Sequence, residues 1–247
     1  VLFRSHLEKG VADLISSYTM EGRKAVSLLA DAYGLSVYES GEAKDVTITL
    51  DLMKRTAQAS RLSPWLGRVK KGNPRVGHIY GLGVAGYWGS TIEIETAAFP
   101  ARAQGKGTIR FNDTAGSMAK DSVSTAAAVV RLVTGKDLSD YDLHVNIVGG
   151  GNIDGPSAGA AITCAIVSAV EKIPLRQDLA VTGEISLSGD VKPVGGVMEK
   201  AFGARQAGMK GILIPAENKA DIDAKTLGIE VIPVTHIRDV LDTMLVK

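Results

Sequence analysis

The chain has a single cysteine in 247 residues, Cys164, so no internal disulfide can form. Its place inside an apolar, helix-like run reads as a buried structural thiol and fits a reducing compartment. An excess of charge of one sign is missing too. With 28 basic against 27 acidic residues the formal net charge is +1, which removes the electrostatic case for nucleic acid or an anionic membrane as partner. Long apolar runs are lacking: the longest, Ala158 to Val170, is too short to span a bilayer, and no cleavable signal pattern opens the sequence, so a cytoplasmic location is expected. The four histidines are scattered and no H-E-x-x-H occurs, so no metal site is expected. No G-x-x-x-x-G-K-[ST] occurs either. What is present is 45% hydrophobic composition, enough for one ordinary core and a smaller appendage.

The stretch Gly149 to Gly159, GGGNIDGPSAG, is the most informative. It follows the alternating run Leu143 to Val148 and opens into the apolar segment Ala158 to Val170, so strand, tight loop and helix are expected. The glycines open conformations closed to other residues, and Pro156 sets φ where the helix begins. Ser157 then sits in a first helical turn, where free N–H groups and the positive dipole end stabilise an oxyanion. Three readings compete for it. Serine is a favoured helix cap, the loop has the order of a phosphate cradle, and the position suits a nucleophile. Asp154 counts against phosphate, by its charge and by breaking the G-x-G-x-x-G pattern.

A second stretch, Leu179 to Lys200, favours the nucleophile. Leu179 to Leu187 reads as a strand, Ser188 to Asp190 as a turn and Val191 to Val194 as the returning partner. After Gly195-Gly196 a helix is expected from Val197 to Gln206, with Lys200 near its start. The dipole and the apolar neighbours Val197, Met198 and Ala201 both lower a lysine pKa there. Bringing a lysine into the range of a general base costs about 4 kcal/mol. A rival triad of Ser157, His144 and Asp154 needs the imidazole within reach of the serine. Asp154, three residues away in a tight loop, is badly placed to orient it, and His144 is expected to line the substrate groove instead.

DGPSAG at Asp154 to Gly159, TGEISLSGDVKPVGGVMEK at Thr182 to Lys200 and GILIPAEN at Gly211 to Asn218 resemble the proteolytic domain of the Lon protease family. VNIVGGGNIDGPSAG, Val145 to Gly159, is most similar to the B-type branch. The resemblance implies that Ser157 is the nucleophile, Lys200 its base, and Thr182 a supporting hydroxyl that accepts from the ammonium or holds the neutral amine toward Ser157. Asp154 is expected to act as a gate that keeps Lys200 protonated when it points inward. Backbone N–H groups of Gly155 and Ser157 are expected to bind the oxyanion.

The fold implied is α+β: a Lon-type proteolytic domain over 64–247, a mixed sheet with packed helices, preceded by a small helical lid of AAA+ type over 1–63. Helices are expected over Glu21 to Tyr38 and from about Leu50 to Ser60, the latter capped by Thr49. A hairpin is expected over Val76 to Ala98, with Gly81, Gly83, Gly86 and Gly89 tolerating bends. A further strand is expected over Gly105 to Asn112. EGRKAVSLLADAYG, Glu21 to Gly34, carries the resemblance to the lid, with Arg23 as its expected ATP sensor. Val1 is expected to begin partway through the family's architecture. No cofactor is expected in this chain, with ATP and Mg in the longer parent by resemblance. The same resemblance implies a hexamer acting on unfolded polypeptides. A catalytically silent peptide-binding or assembly module is the alternative, and a nucleotide-binding domain a further one.

Overall fold

The computed structural model describes residues 5–19, 21–41, 46–62, 72–85, 88–111, 117–148, 155–223 and 227–246. The chain forms two compact units, Val1–Gly67 and Arg68–Lys247. The division lies in residues 63–71, outside the described residues, as does the boundary expected after Ser63.

Among the described residues the first unit holds three helices, α1 (Val11–Tyr18), α2 (Gly22–Ser40) and α3 (Leu50–Ala59). Thr49 caps α3 as its sequence predicts, its side chain accepting from Leu52 N–H at 3.2 Å. Gly34 does not break α2, which runs on to a left-handed Gly41. Two short parallel strands, β1 (Ser5–Leu7) and β2 (Val46–Ile48), were not expected. They are too short for periodicity to show, and their pairing spans some forty residues of sequence. Val11, Ile15, Leu28, Ala32, Ile48 and Met53 form this unit's own core.

The second unit is built on a seven-stranded mixed sheet in the order β11-β10-β7-β3-β4-β6-β5. Its strands are β3 (His78–Ala85), β4 (Trp88–Pro100), β5 (Ile109–Phe111), β6 (Tyr141–Val148), β7 (Leu179–Val181), β10 (Gly211–Pro215) and β11 (Glu230–Val234). β3–β4 and β4–β6 pair antiparallel, and the remaining pairs are parallel. Side-chain alternation sends the two faces into separate cores. Ile79, Leu179, Val181 and Leu213 join one with α4 (Ser117–Thr134), α5 (Gly159–Glu171) and α7 (Ile237–Met244). Tyr80, Leu82, Ala180, Ile212 and Ile214 join the other with Val197, Ala201 and Ala204 of α6 (Val197–Gln206). Helix α5 is buried along Gly159 to Val170, which is why it reads as apolar all round rather than as a stripe.

The expected strand Leu179 to Leu187 is two strands. β7 leaves the large sheet at Thr182-Gly183, and β8 (Glu184–Ile185) pairs with β9 (Val191–Lys192) in a separate two-stranded sheet. The break has a structural cause. Gly183 N–H donates to Ser157 O at 2.9 Å, and Gly183 O accepts from Ala160 N–H at 3.0 Å, so this backbone serves the start of α5 instead of a strand ladder. A Cβ on Gly183 would lie 2.4 Å from Val191 Cγ1, which explains the glycine.

Candidate active site

Ser157 occupies a 3₁₀ turn, Pro156–Ala158, that leads directly into α5. Gly155 ahead of it has φ 130°, open to glycine and not to residues with a Cβ, and Pro156 fixes the next φ. The serine's carbonyl is held twice, by Gly183 N–H and by the buried hydroxyl of Thr182, which donates to it at 3.2 Å. The hydroxyl, expected at the Lys200 amine, thus bonds to the Ser157 carbonyl instead.

Lys200 arrives from the other face of the sheet. Gly196 turns the chain with φ 66°, α6 begins at Val197, and Lys200 N–H closes the first helical bond to Gly196 O at 2.9 Å. The preceding loop is pinned by Asn218, whose side chain accepts from Val194 N–H at 2.9 Å and donates to Val194 O at 3.1 Å. That is the structural work of the GILIPAEN segment: it holds the turn that delivers the lysine. Lys200 is 2% exposed, a rare position for an ammonium. No carboxylate among the described residues pairs with it. Burial alone therefore pushes its pKa down to about 8 from the ordinary 10.5.

Ser157 and Lys200 line one cleft of about 530 Å³ with Val84, Glu184, Val194 and Glu199. A hydroxyl at a helix entrance and a deprotonatable amine thus face the same space, the arrangement that activates a serine without a histidine. Residues 64–247 match the family described as the Lon protease (S16) C-terminal proteolytic domain.

The chain belongs to the Lon protease family.

Among its Lon relatives, "Lon protease 2" of Bacillus subtilis (strain 168) is 41% identical over 255 residues, covering 97% of this chain and 45% of that protein. The archaeal Lon protease of Thermoplasma volcanium is 40% identical over 183 residues, 70% of this chain and 28% of its own length. That of Pyrococcus abyssi is 37% identical over 177 residues, 70% of this chain and 18% of its own length. The chain thus spans less than half the length of each of these relatives. The mixed sheet with packed helices is the fold of the Lon proteolytic domain.

Not every residue singled out from the sequence reaches the cleft. His144 is exposed on β6 and lines a different concavity with Phe99, Arg102, Lys106, Arg110 and Asp142. Strand alternation puts it on the exposed face of β6, opposite the buried Leu143, Val145 and Ile147. Asp154 lies outside the described residues. Arg23 is exposed on α2 in the first unit. Glu184 and Glu199 line the cleft and were not foreseen, although each adjoins a motif residue, Thr182-Gly183 in one case and Lys200 in the other.

His78, Glu93 and Glu95 bring possible metal-ligand atoms within 4.8 Å of one another. Arg75 ion-pairs with both carboxylates, at 3.7 and 3.3 Å, so a guanidinium already supplies the positive charge there.

Proposed function

We propose that this chain hydrolyses peptide bonds through a Ser157–Lys200 dyad and an acyl-enzyme. The observation that carries the reading is the buried Lys200, with no carboxylate partner among the described residues, opening on the same cleft as Ser157. Neutral Lys200 takes the proton from Ser157 Oγ as that oxygen attacks the carbonyl carbon. N–H groups of Ser157 and Gly155 stabilise the oxyanion, while Pro156 has none to offer. Lys200 then gives its proton to the leaving amine, the C–N bond breaks, and a water activated by the same amine releases the acyl group. With a pKa of about 8, about a tenth of Lys200 is neutral at pH 7, sufficient for a working base.

The test is cleavage of an unstructured fluorogenic peptide by the full chain. Activity lost in both Ser157→Ala and Lys200→Met, with folding intact, supports the dyad. Retention in either variant overturns it, and inactivity of the unsubstituted chain favours a silent assembly module.

The longer protein is proposed to be an ATP-dependent, cytoplasmic protease that acts as a hexamer on unfolded polypeptides and uses ATP and Mg. Residues 1–63 are proposed as the helical lid of its AAA+ module, with Arg23 sensing ATP phosphate. The alignment with the Bacillus protein over 97% of this chain, helical unit included, supports that assignment. Nucleotide-stimulated cleavage lost in Arg23→Ala of the longer protein is the expected result.

A further inference from the structure

Among the described residues nothing holds the Lys200 side chain by hydrogen bond or ion pair. Where its amine points therefore depends on where the helix backbone is placed, and that placement has a visible source. Gly89, at the start of β4 and paired with Val84 of β3, lies directly against α6. A Cβ built there would fall 1.7 Å from Glu199 O, 2.2 Å from Glu199 C and 2.7 Å from Lys200 N. The strand thus touches the peptide unit that leads into the lysine. One turn on, a Cβ at Gly203 would fall 2.2 Å from Gly89 O and 2.8 Å from Ser90 N. At the other end of the same stripe, a Cβ at Gly196 would fall 3.0 Å from Val84 Cγ1.

Neither Gly89 nor Gly203 has a left-handed φ. Glycine is required at both for room alone, a use different from the bends expected of this hairpin. Inside a helix that room is costly: Gly203 forgoes about 1 kcal/mol of helix propensity relative to alanine. Val84 is also 41% exposed and lines the cleft. A peptide lying in the cleft thus touches the same hairpin that the base helix rests on.

We infer that the β3–β4 hairpin, through Gly89, positions Lys200 for its reaction and couples occupancy of the cleft to the base. The inference rests on the proposed peptidase reading. Gly89 touches no substrate, so it is a positioning residue.

The experiment compares the full chain with Gly89→Ala, Gly83→Ala and Val84→Ala, measuring kcat, KM and the pH dependence of peptide cleavage. Gly83 is the control, because a Cβ there meets first the terminal carbon of the Ile92 side chain, 2.6 Å away, and not the backbone of α6. Gly89→Ala is expected to lower kcat about tenfold to a hundredfold, the usual result of a displacement near 1 Å, with KM changed less than about threefold. It is also expected to move the basic midpoint of the pH profile upward, because a displaced helix admits water to the amine. Gly83→Ala is expected to keep both. A folded Gly89→Ala with unchanged kcat and midpoint overturns the inference and leaves the dyad standing. Should Gly89→Ala fail to fold, Val84→Ala carries the test through its loosened contact with Gly196, and an unmoved midpoint in that variant overturns the inference. Peptide cleavage retained by Ser157→Ala instead refutes the peptidase reading, and the inference with it.

Discussion

Replacing Lys200 by methionine is expected to make the protein inactive and more stable. The side chain is 2% exposed, and burial takes its pKa from 10.5 to about 8. That lowering corresponds to about 3 kcal/mol for keeping an ammonium in the fold at pH 7. Methionine keeps most of the stem's volume and carries no charge, so the variant recovers about 2 to 3 kcal/mol, or roughly 5 to 10 °C in Tm for a protein of this size. The pH dependence gives the claim its sign. The unfolded chain binds the extra proton between pH 8 and 10.5, so stability of the unsubstituted protein rises through that window as the penalty is relieved. By pH 10 the two proteins should differ by less than about 1 kcal/mol from this cause. Urea denaturation followed by circular dichroism at pH 7 and pH 10 measures both values, and the difference between the two proteins cancels other titrations. A variant less stable at pH 7, or a difference that does not change with pH, would show that the ammonium is compensated. A carboxylate such as that of Asp154 lying against it would give that result.

Four further outcomes follow from the same geometry. Peptide-cleavage kcat/KM is expected to rise about tenfold from pH 7 to a plateau above pH 9, with a midpoint near 8 set by Lys200, and a flat profile across that range would remove it as the base. Asn218→Ala removes both side-chain bonds to Val194 and should cost about 1 to 3 kcal/mol in denaturant unfolding together with a fall in kcat. Thr182→Val should cost only about 1 kcal/mol, because Gly183 N–H still satisfies the Ser157 carbonyl, and a larger loss would mean that the hydroxyl has a second partner. His144→Ala, in its separate concavity, should leave cleavage within about twofold, and a greater drop would tie that surface to the reaction.

Local chemistry made much of this protein legible in its amino acids. Pro156 after Gly155, Gly196 before Val197 and Thr49 before Leu50 each set a helix start through φ preference or capping, and each start lies within two residues of its expected place. The fold class followed from the family resemblance that the motifs and their order carry. A strand reading of Leu179 to Leu187 failed because alternation reports a period and not a partner. Thr182 N–H still bonds to Leu213 O of β10, but the Gly183 backbone leaves the ladder to bond with Ser157 and Ala160, about twenty-five residues earlier in the chain. Likewise β5 begins at Ile109 and not at Gly105, because Gly107 N–H bonds to Ser139 O outside the ladder.

The residue types needed for acyl transfer were therefore written in the chain, since a hydroxyl after a proline and a lysine after two glycines are recognisable wherever they fold. Only tertiary packing decided that the lysine lost its water, that Gly89 and Gly203 lie backbone to backbone, and that His144 looks elsewhere. Desolvation and close approach are properties of what surrounds an atom, and those surroundings come from strands and helices far apart in sequence.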